Sequence, residues 1–407
     1  MTAKDALSIC VEQSTGIGLC RCLEQVCPII YNNSREQKES CYMDHCFISK
    51  RSLENPALYR ITSLYLIIFI IGVIGNITTC VVMKRHPMLK THASIYLTNL
   101  AISDLVTLFV GLPFEVFMNW NQYPWPFPDF VCNLKALIAE TTSSVSILTI
   151  LFFAVERYVA VCHPFWFVKI KPFKQKVHGA IILTWIISIA CALPFAYHHK
   201  ADYILKSWPG TDNHEPVVSS KMCMVAVFFE PRLMPVFHVL FHLTALIFFA
   251  IPLFTILILY GLIATKVSVS RQPRREVDIT EELHMKINLI LCGIVIAFFV
   301  CYLPFHLQRL LFFYLHNDVI ISTLNQYIFF ISGILFYLAT IINPIMYNLA
   351  SSRFRKASKE VIFSFFFSRV DNSAVRSSSG PIRYTITPKQ LRQTHSQGVS
   401  LYEPSHA

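Results

Sequence analysis

Asp104, Glu115, Lys135, Glu140, Glu156, Arg157 and Arg309 are ionisable side chains set within or at the ends of long apolar stretches. A charge in hydrocarbon is costly, and it is kept chiefly where it pairs, meets water or does work. Three groupings follow from their order. Asp104 falls midway along the second stretch, and Ser146 and Asn343 are polar residues of the third and seventh. That trio reads either as a polar knot joining helices or as a site for a monovalent cation. Glu115, Lys135, Glu140 and Arg309 fall roughly one to three turns from the ends of their stretches, at about 3.6 residues per turn. They either pair with one another, a structural role, or line a polar cavity. In the cavity reading, two carboxylates take a cationic group and Arg309 meets an acceptor. The third grouping is Glu156-Arg157-Tyr158. Arg157 follows Cys132 by 25 residues, about 38 Å of helix at 1.5 Å per residue. An arginine at a helix end commonly snorkels to the interface; the adjacent Glu makes this one a switchable pair. No Ser–His, paired-Asp or metal-ligand constellation spans the stretches, which argues against an intramembrane enzyme.

The elements that must hold these groups are legible in the composition. Of 407 residues, 54% are hydrophobic and 14% charged, against about 25% charged in an ordinary soluble domain. A compact fold of this size would lack the polar surface to stay in water, and a disordered chain would be charge-rich and poor in aromatics. Seven stretches, Ile61–Met83, Ser94–Met118, Leu134–Val161, Val177–Tyr197, Val236–Ala264, Ile287–Tyr314 and Leu324–Leu349, reach the ~20 residues that cross a bilayer. Their apolar residues run on without alternating, so helices rather than barrel strands are expected. The fold class is an all-α membrane protein: a seven-transmembrane helix bundle with an amphipathic eighth helix on the cytoplasmic side. Pro194, Pro252, Pro304 and Pro344 interrupt the fourth to seventh spans, each removing a hydrogen bond and permitting a kink.

The net charge of +11 has a topological origin, not a nucleic-acid partner. Lys and Arg crowd the loops after spans one, three and five, while 119–133 and 315–323 carry none. The positive-inside bias then sets the N-terminus outside and the C-terminus inside. The stretch Met1–Ser14 lacks the apolar core of a signal peptide, so the first span is expected to be the insertion signal. Four segments follow: an extracellular Cys-rich tail (1–59), the helix domain (60–349), a juxtamembrane helix (350–367) and a disordered cytoplasmic tail (368–407). In the first, Asn32-Asn33-Ser34 is a glycosylation sequon at Asn32. Six of the 13 cysteines, Cys10, Cys20, Cys22, Cys27, Cys41 and Cys46, lie there, with connectivity open; zinc binding with His45 is the weaker reading. Cys132 and Cys223 are also on the outside, and the oxidising compartment points to a bridge between them.

Gly75-Asn76, Asn99-Leu100-Ala101-Ile102-Ser103-Asp104, Cys132, Glu156-Arg157-Tyr158, Trp185, Pro252 with Tyr260, Cys301-Tyr302-Leu303-Pro304 and Asn343-Pro344-Ile345-Met346-Tyr347 resemble the rhodopsin-like G-protein-coupled receptors. The resemblance covers about residues 58–365, with motifs on all seven spans in order. Within the class, Leu112-Pro113-Phe114-Glu115-Val116, Lys135, Glu140-Thr141, Pro304-Phe305-His306-Leu307-Gln308-Arg309-Leu310 and Ser351-Ser352-Arg353-Phe354-Arg355 are similar to the neuromedin U receptors; the ghrelin and motilin receptors are similar there too.

The resemblance implies a plasma-membrane receptor, not an enzyme, for an extracellular peptide with an amidated C-terminus. Glu115 and Glu140 would receive a ligand arginine, Arg309 would meet ligand carbonyls or the terminal amide, and Lys135, Phe305 and His306 would complete the pocket. Asp104, Ser146 and Asn343 become candidates for an allosteric sodium ion, with no other cofactor or metal implied. Ile147, Pro252, Phe298, Tyr302, Tyr260 and Tyr347 would form the activation switch. Glu156, Arg157 and Tyr158 would meet a heterotrimeric G protein, with Gq and calcium favoured. Arrestin-type regulators would read the Ser/Thr-rich tail, and membrane lipids the amphipathic helix carrying Phe354, Val361, Ile362 and Phe365. Ala139 stands where amine receptors carry Asp, and no Lys occurs from Ser322 to Leu349 for a retinal Schiff base. Two departures stand out: Tyr302 replaces the usual Trp, and His284 replaces the acid that sometimes pairs with the span-three Arg. A seven-span transporter is the rival; Ile147 and Phe298 would interrupt its polar path.

Overall fold

The structure, a computed structural model, describes residues 50–169, 173–204, 216–269, 279–314 and 319–375. Within helices, the side chains of 168–169, 173–175, 267–269, 279–292, 294, 312–313, 319–326, 350 and 365–375 fall outside that description. The six tail cysteines, Asn32, His45, the Ser/Thr-rich tail and the side chains of Glu281, Glu282 and His284 therefore lie outside the described residues.

Each apolar stretch forms one helix. These are α1 (Asn55–Arg85), α2 (His92–Trp120), α3 (Asp129–Cys162), α4 (Phe173–Tyr197), α5 (Met234–Ala245, Leu246–Ala250 and Ile251–Val269 in succession), α6 (Ile279–Tyr314) and α7 (Val319–Ala350), followed by α8 (Ser352–Val375). Among the described residues six helices are long and apolar enough to cross a bilayer, and α6 adds the apolar stretch Val295–Leu311. The helices outrun the apolar stretches because their ends are chemically marked. Helix α1 starts on Asn55-Pro56 and finishes on Lys84 and Arg85, cations that suit the negative end of the helix dipole. Thr91 caps α2 by accepting from the Ser94 amide at 3.3 Å, as an N-cap side chain does.

Two helices carry a π turn directly before a proline. Thr107–Gly111 precedes Leu112-Pro113, and Leu246–Ala250 precedes Ile251-Pro252. A proline inside an α-helix clashes with the carbonyl four residues back, here Phe109 or Phe248. The wider turn relieves that clash while keeping the helix continuous.

Helix α3 runs through the bundle and touches α2, α4 and α5, while α5–α6, α6–α7 and α7–α1 contacts close the ring. Leu108, Ile147, Ile150, Phe248, Phe298, Tyr302 and Phe336 are buried together in its core. Lipid is as apolar as that core, so helix register rests on polar contacts, each about 0.6 kcal/mol on average. Asn76 donates to the carbonyls of Gly72 and Thr340, both at 2.9 Å. Asn99 donates to Thr149 (2.8 Å) and accepts from the Trp185 indole (3.0 Å), tying α2 to α3 and α4.

Between α4 and α5 lies a hairpin that the sequence reading did not foresee: β1 (His199–Tyr203) antiparallel to β2 (Lys221–Val225), with Ala201 opposite Cys223. Cys223 is bonded to Cys132 at the start of α3, with Cα atoms 5.7 Å apart. The expected disulfide is thus present, and it pins the hairpin to the bundle. At the opposite end, Phe354 of α8 is buried and meets the Tyr347 ring edge-on at 6.1 Å. Phe354 therefore packs against protein instead of facing lipid. Arg355 donates to the Asn348 and Leu349 carbonyls at the end of α7 (3.0 and 2.7 Å).

Candidate functional site

The hairpin end of the bundle holds the charged quartet. Arg309 of α6 grips Glu140 of α3 with both terminal nitrogens, one at 3.1 Å. Its guanidinium lies 4.0 Å from the Phe305 ring centroid, 5.2 Å from Phe241 and 5.8 Å from Phe195. A forked, ring-enclosed guanidinium is well oriented, since planarity fixes two bonds at once. Glu115 and Lys135 form a second, looser couple: each lies in the other's field, and neither makes a side-chain hydrogen bond among the described residues. Both are half-buried. Beneath Glu115 stand Tyr65 and Tyr337, rings edge-on at 5.5 Å. A Cβ at Gly111 would sit 3.1 Å from the Tyr337 hydroxyl and one at Gly333 3.0 Å from that of Tyr65, so glycine gives these tyrosines room. His306 is buried against Phe249 and Phe305, with Arg309 as its charged neighbour.

The hairpin adjoins this quartet. His199, the first residue of β1, donates from Nδ1 to the Phe195 carbonyl at 2.7 Å. Burial holds its imidazole down to about 4, and Glu140, Lys135 and Arg309 are its charged neighbours. Asn133 of α3 donates to the Ala196 and His199 carbonyls (2.9 and 2.8 Å). Lys200 and Arg232 both bond Glu230 at 2.7 Å, and those two cations hold its carboxyl at about 2. Lys221 reaches Asp129 at 2.7 Å.

Midway through the bundle, Asn343 donates to Asp104 at 3.0 Å and Ser103 bonds Ser146, also at 3.0 Å. Asp104 is 4% exposed. Asn343 of α7 thus meets Asp104 of α2, while Ser146 of α3 meets the residue before it, Ser103. Tyr302 and Tyr347 also lie within the Asp104 field. Tyr302 stacks on Phe298, centroids 4.1 Å apart and planes within 16°, and meets Phe336 at 5.4 Å. Ile147 and Phe298 share one core cluster with Tyr260 packed against it, and Pro252 is buried.

At the far end, Glu156 accepts from Arg157 at 2.6 Å and lies 3.9 Å from His92. The Arg157 guanidinium sits 5.4 Å from the Phe153 ring. Among the described residues its Nε, Glu156 Oε2 and the buried Tyr347 hydroxyl have no hydrogen-bond partner, and unmet buried groups cost free energy that another arrangement can recover. Tyr158 contacts His163 at 3.3 Å. No three His, Cys, Asp or Glu side chains gather as a metal site among the described residues.

The sequence pattern singles out the charged quartet, the Asp104, Ser146 and Asn343 trio and the Glu156-Arg157-Tyr158 triplet as candidates. It misses His199, Asn133, Tyr65 and Tyr337. The last two were findable as tyrosines on apolar spans; the others bond through backbone carbonyls, which leaves no trace in residue type.

Seven helices, a hairpin disulfide-bonded to α3, a buried Asp–Asn knot and a Glu-Arg-Tyr end define a class of membrane protein. Residues 75–347 match the 7 transmembrane receptor (rhodopsin family), and the chain belongs to that family: it is a multi-pass membrane receptor, not an enzyme. Among its relatives is neuromedin-U receptor 2 of Mus musculus, 32% identical over 339 residues, 82% of this chain and 80% of the relative. The pyrokinin-1 receptor of Drosophila melanogaster is 29% identical over 396 residues, covering 83% and 87%. Growth hormone secretagogue receptor type 1 of Homo sapiens is 30% identical over 310 residues, covering 74% and 80%.

Proposed function

We propose that this receptor answers an extracellular, C-terminally amidated peptide of the neuromedin U type and activates heterotrimeric G proteins, with Gq and calcium as the favoured output. The observation that carries the proposal is the quartet beside the hairpin. Glu115 is a carboxylate without a hydrogen-bond partner among the described residues, half-buried beside a lysine, where a guanidinium of the peptide gains charge-assisted bonds. Arg309, held by Glu140, keeps its remaining donor edge for ligand carbonyls or the terminal amide. The Lys/Arg distribution supports an extracellular position for this end. Relatives bearing neuromedin-U, pyrokinin and secretagogue receptor names support a peptide ligand; the last keeps a ghrelin-, motilin- or neurotensin-like peptide as the second reading.

In this account the peptide shifts a two-state bundle only by its differential affinity for the two states. Drawing the hairpin ends of α3 and α6 around the ligand moves the Phe298–Tyr302 stack. At the inner end Arg157 leaves Glu156, and Tyr260 and Tyr347 rearrange to admit a G-protein helix. Asp104, Ser146 and Asn343 offer a carboxylate, a hydroxyl and an amide oxygen, a donor set with one negative charge that suits a sodium ion favouring the resting state. Arrestin-type regulators would bind a phosphorylated tail, and α8 would rest on the anionic leaflet.

The test is a calcium and cAMP assay in cells expressing the receptor, against a panel of amidated, Arg-containing peptides. A saturable calcium response to at least one peptide, lost with its free-acid form, is expected. Silence across the panel, with solute uptake by the purified protein, refutes the reading.

A further inference from the structure

His238 and His242 lie one turn apart on α5 and turn the same way, with ring centroids 4.2 Å apart and planes tilted by 38°. Tyr314, the last residue of α6, brings its hydroxyl to 2.9 Å from His242 Nε2 and 3.3 Å from His238 Nε2. His242 Nδ1 is 2.7 Å from the His238 carbonyl oxygen. A carbonyl only accepts, so Nδ1 carries the proton and Nε2 keeps its lone pair, aimed at Tyr314. One ring nitrogen anchored on a backbone carbonyl with the other left to bind is how proteins orient metal-ligating histidines. The three groups converge from two helices, and Tyr314 is 62% exposed, so an ion can reach them. None of the three belongs to the charged quartet or the Asp104 knot.

We propose that His238, His242 and Tyr314 form a binding site for a transition-metal dication of the zinc type, joining the hairpin ends of α5 and α6. Residues four apart share a helix face, which lets both imidazoles ligate one ion. Zinc accepts nitrogen and oxygen ligands at about 2.0–2.2 Å in a tetrahedron, so the two Nε2 atoms, the Tyr314 phenolate, whose proton is released to water as the metal binds, and one water complete the set. Magnesium and calcium prefer all-oxygen sites and are not expected to bind. The site adjoins the pocket through Phe241, the neighbour of His242, whose ring lies 5.2 Å from the Arg309 guanidinium. A metal that fixes α5 to α6 there alters the ease with which the pocket rearranges.

The experiment is thermal unfolding of the purified full-length receptor in detergent, with zinc chloride titrated against an EDTA baseline and magnesium as the control. The midpoint is expected to rise saturably with zinc and to ignore magnesium. The saturable rise should vanish in the His238→Ala/His242→Ala double variant, and Tyr314→Phe should need about tenfold more zinc. His242→Cys should keep the site and shift its preference toward cadmium, since thiolates favour softer ions. The metal-free midpoint of each variant reports that it folds, and the gain in the Cys variant does not depend on the Ala variants surviving. No zinc-dependent rise, or an equal rise in the double variant, overturns the proposal. Because the readout needs no agonist, it succeeds or fails independently of the peptide reading.

Discussion

At the scale of single residues, the pairing of Arg309 with Glu140 organises the pocket. Glu140→Gln leaves a guanidinium among three aromatic rings with no counter-charge. A fully buried pair broken this way loses about 3–5 kcal/mol; with side chains 19% and 12% exposed, about 2 kcal/mol is expected here after solvent screening. The fall in unfolding midpoint of the purified receptor measures it, and adding Arg309→Gln should recover part of the loss; no recovery contradicts the pairing. His199 gives a pH prediction. Its folded pKa is about 4 against an ordinary 6.5, so between those values the unfolded chain binds more protons. Its stabilising contribution is complete above about pH 6.5 and is lost as pH falls toward 4. Midpoints measured across that window should slope upward with pH, and His199→Gln should flatten the slope; an unchanged slope rules out His199 as its source. The charges themselves were plain in the sequence because they interrupt apolar runs. Their partners were not, because Arg309 and Glu140 are 169 residues apart and only the packing of α3 against the α6 end decides which acid the arginine meets.

Among the elements, the seven spans were readable because hydrocarbon leaves a continuous apolar record of each crossing. The hairpin left no such record: its strands are five residues each, too short for alternation to stand out. The π turns were hidden as well: Pro252 announces a kink without saying how the helix absorbs it, and Pro113 stands out only as part of the Leu112-Pro113-Phe114-Glu115-Val116 string. The hairpin depends on its tether. Removing the Cys132–Cys223 bond, which closes a sequence separation of 91 residues, should cost about 2–4 kcal/mol and release the hairpin beside the quartet. Cys132→Ala with Cys223→Ala is therefore expected to lower both the unfolding midpoint and peptide potency. Unaltered potency in a correctly inserted variant would show that the hairpin plays no part in binding. The knot joining α2, α3 and α7 predicts a salt effect: sodium, but not choline, should lower agonist affinity, and Asp104→Asn should abolish the difference. A difference that survives Asp104→Asn removes sodium from this site.

Across the whole molecule, the receptor reads as two chemically distinct ends joined by a packed apolar middle. Charge that would be prohibitive in lipid is collected beside the hairpin, at Asp104 and at Glu156-Arg157. The Phe298–Tyr302 stack and the Ile147 core separate the first from the last. Coupling between the ends is reciprocal by thermodynamic necessity, so a bound G protein should raise peptide affinity as the peptide raises G-protein binding. The most direct measurement is a double-mutant cycle between receptor and ligand, using an activating amidated peptide and its Arg→citrulline analogue on the parent receptor and on Glu115→Gln. Direct contact predicts non-additive losses: Glu115→Gln should weaken the arginine peptide by about tenfold or more, the size of a charge-assisted bond, and leave the citrulline peptide nearly unaffected. Equal losses for both peptides would contradict the claim that Glu115 receives the ligand's guanidinium.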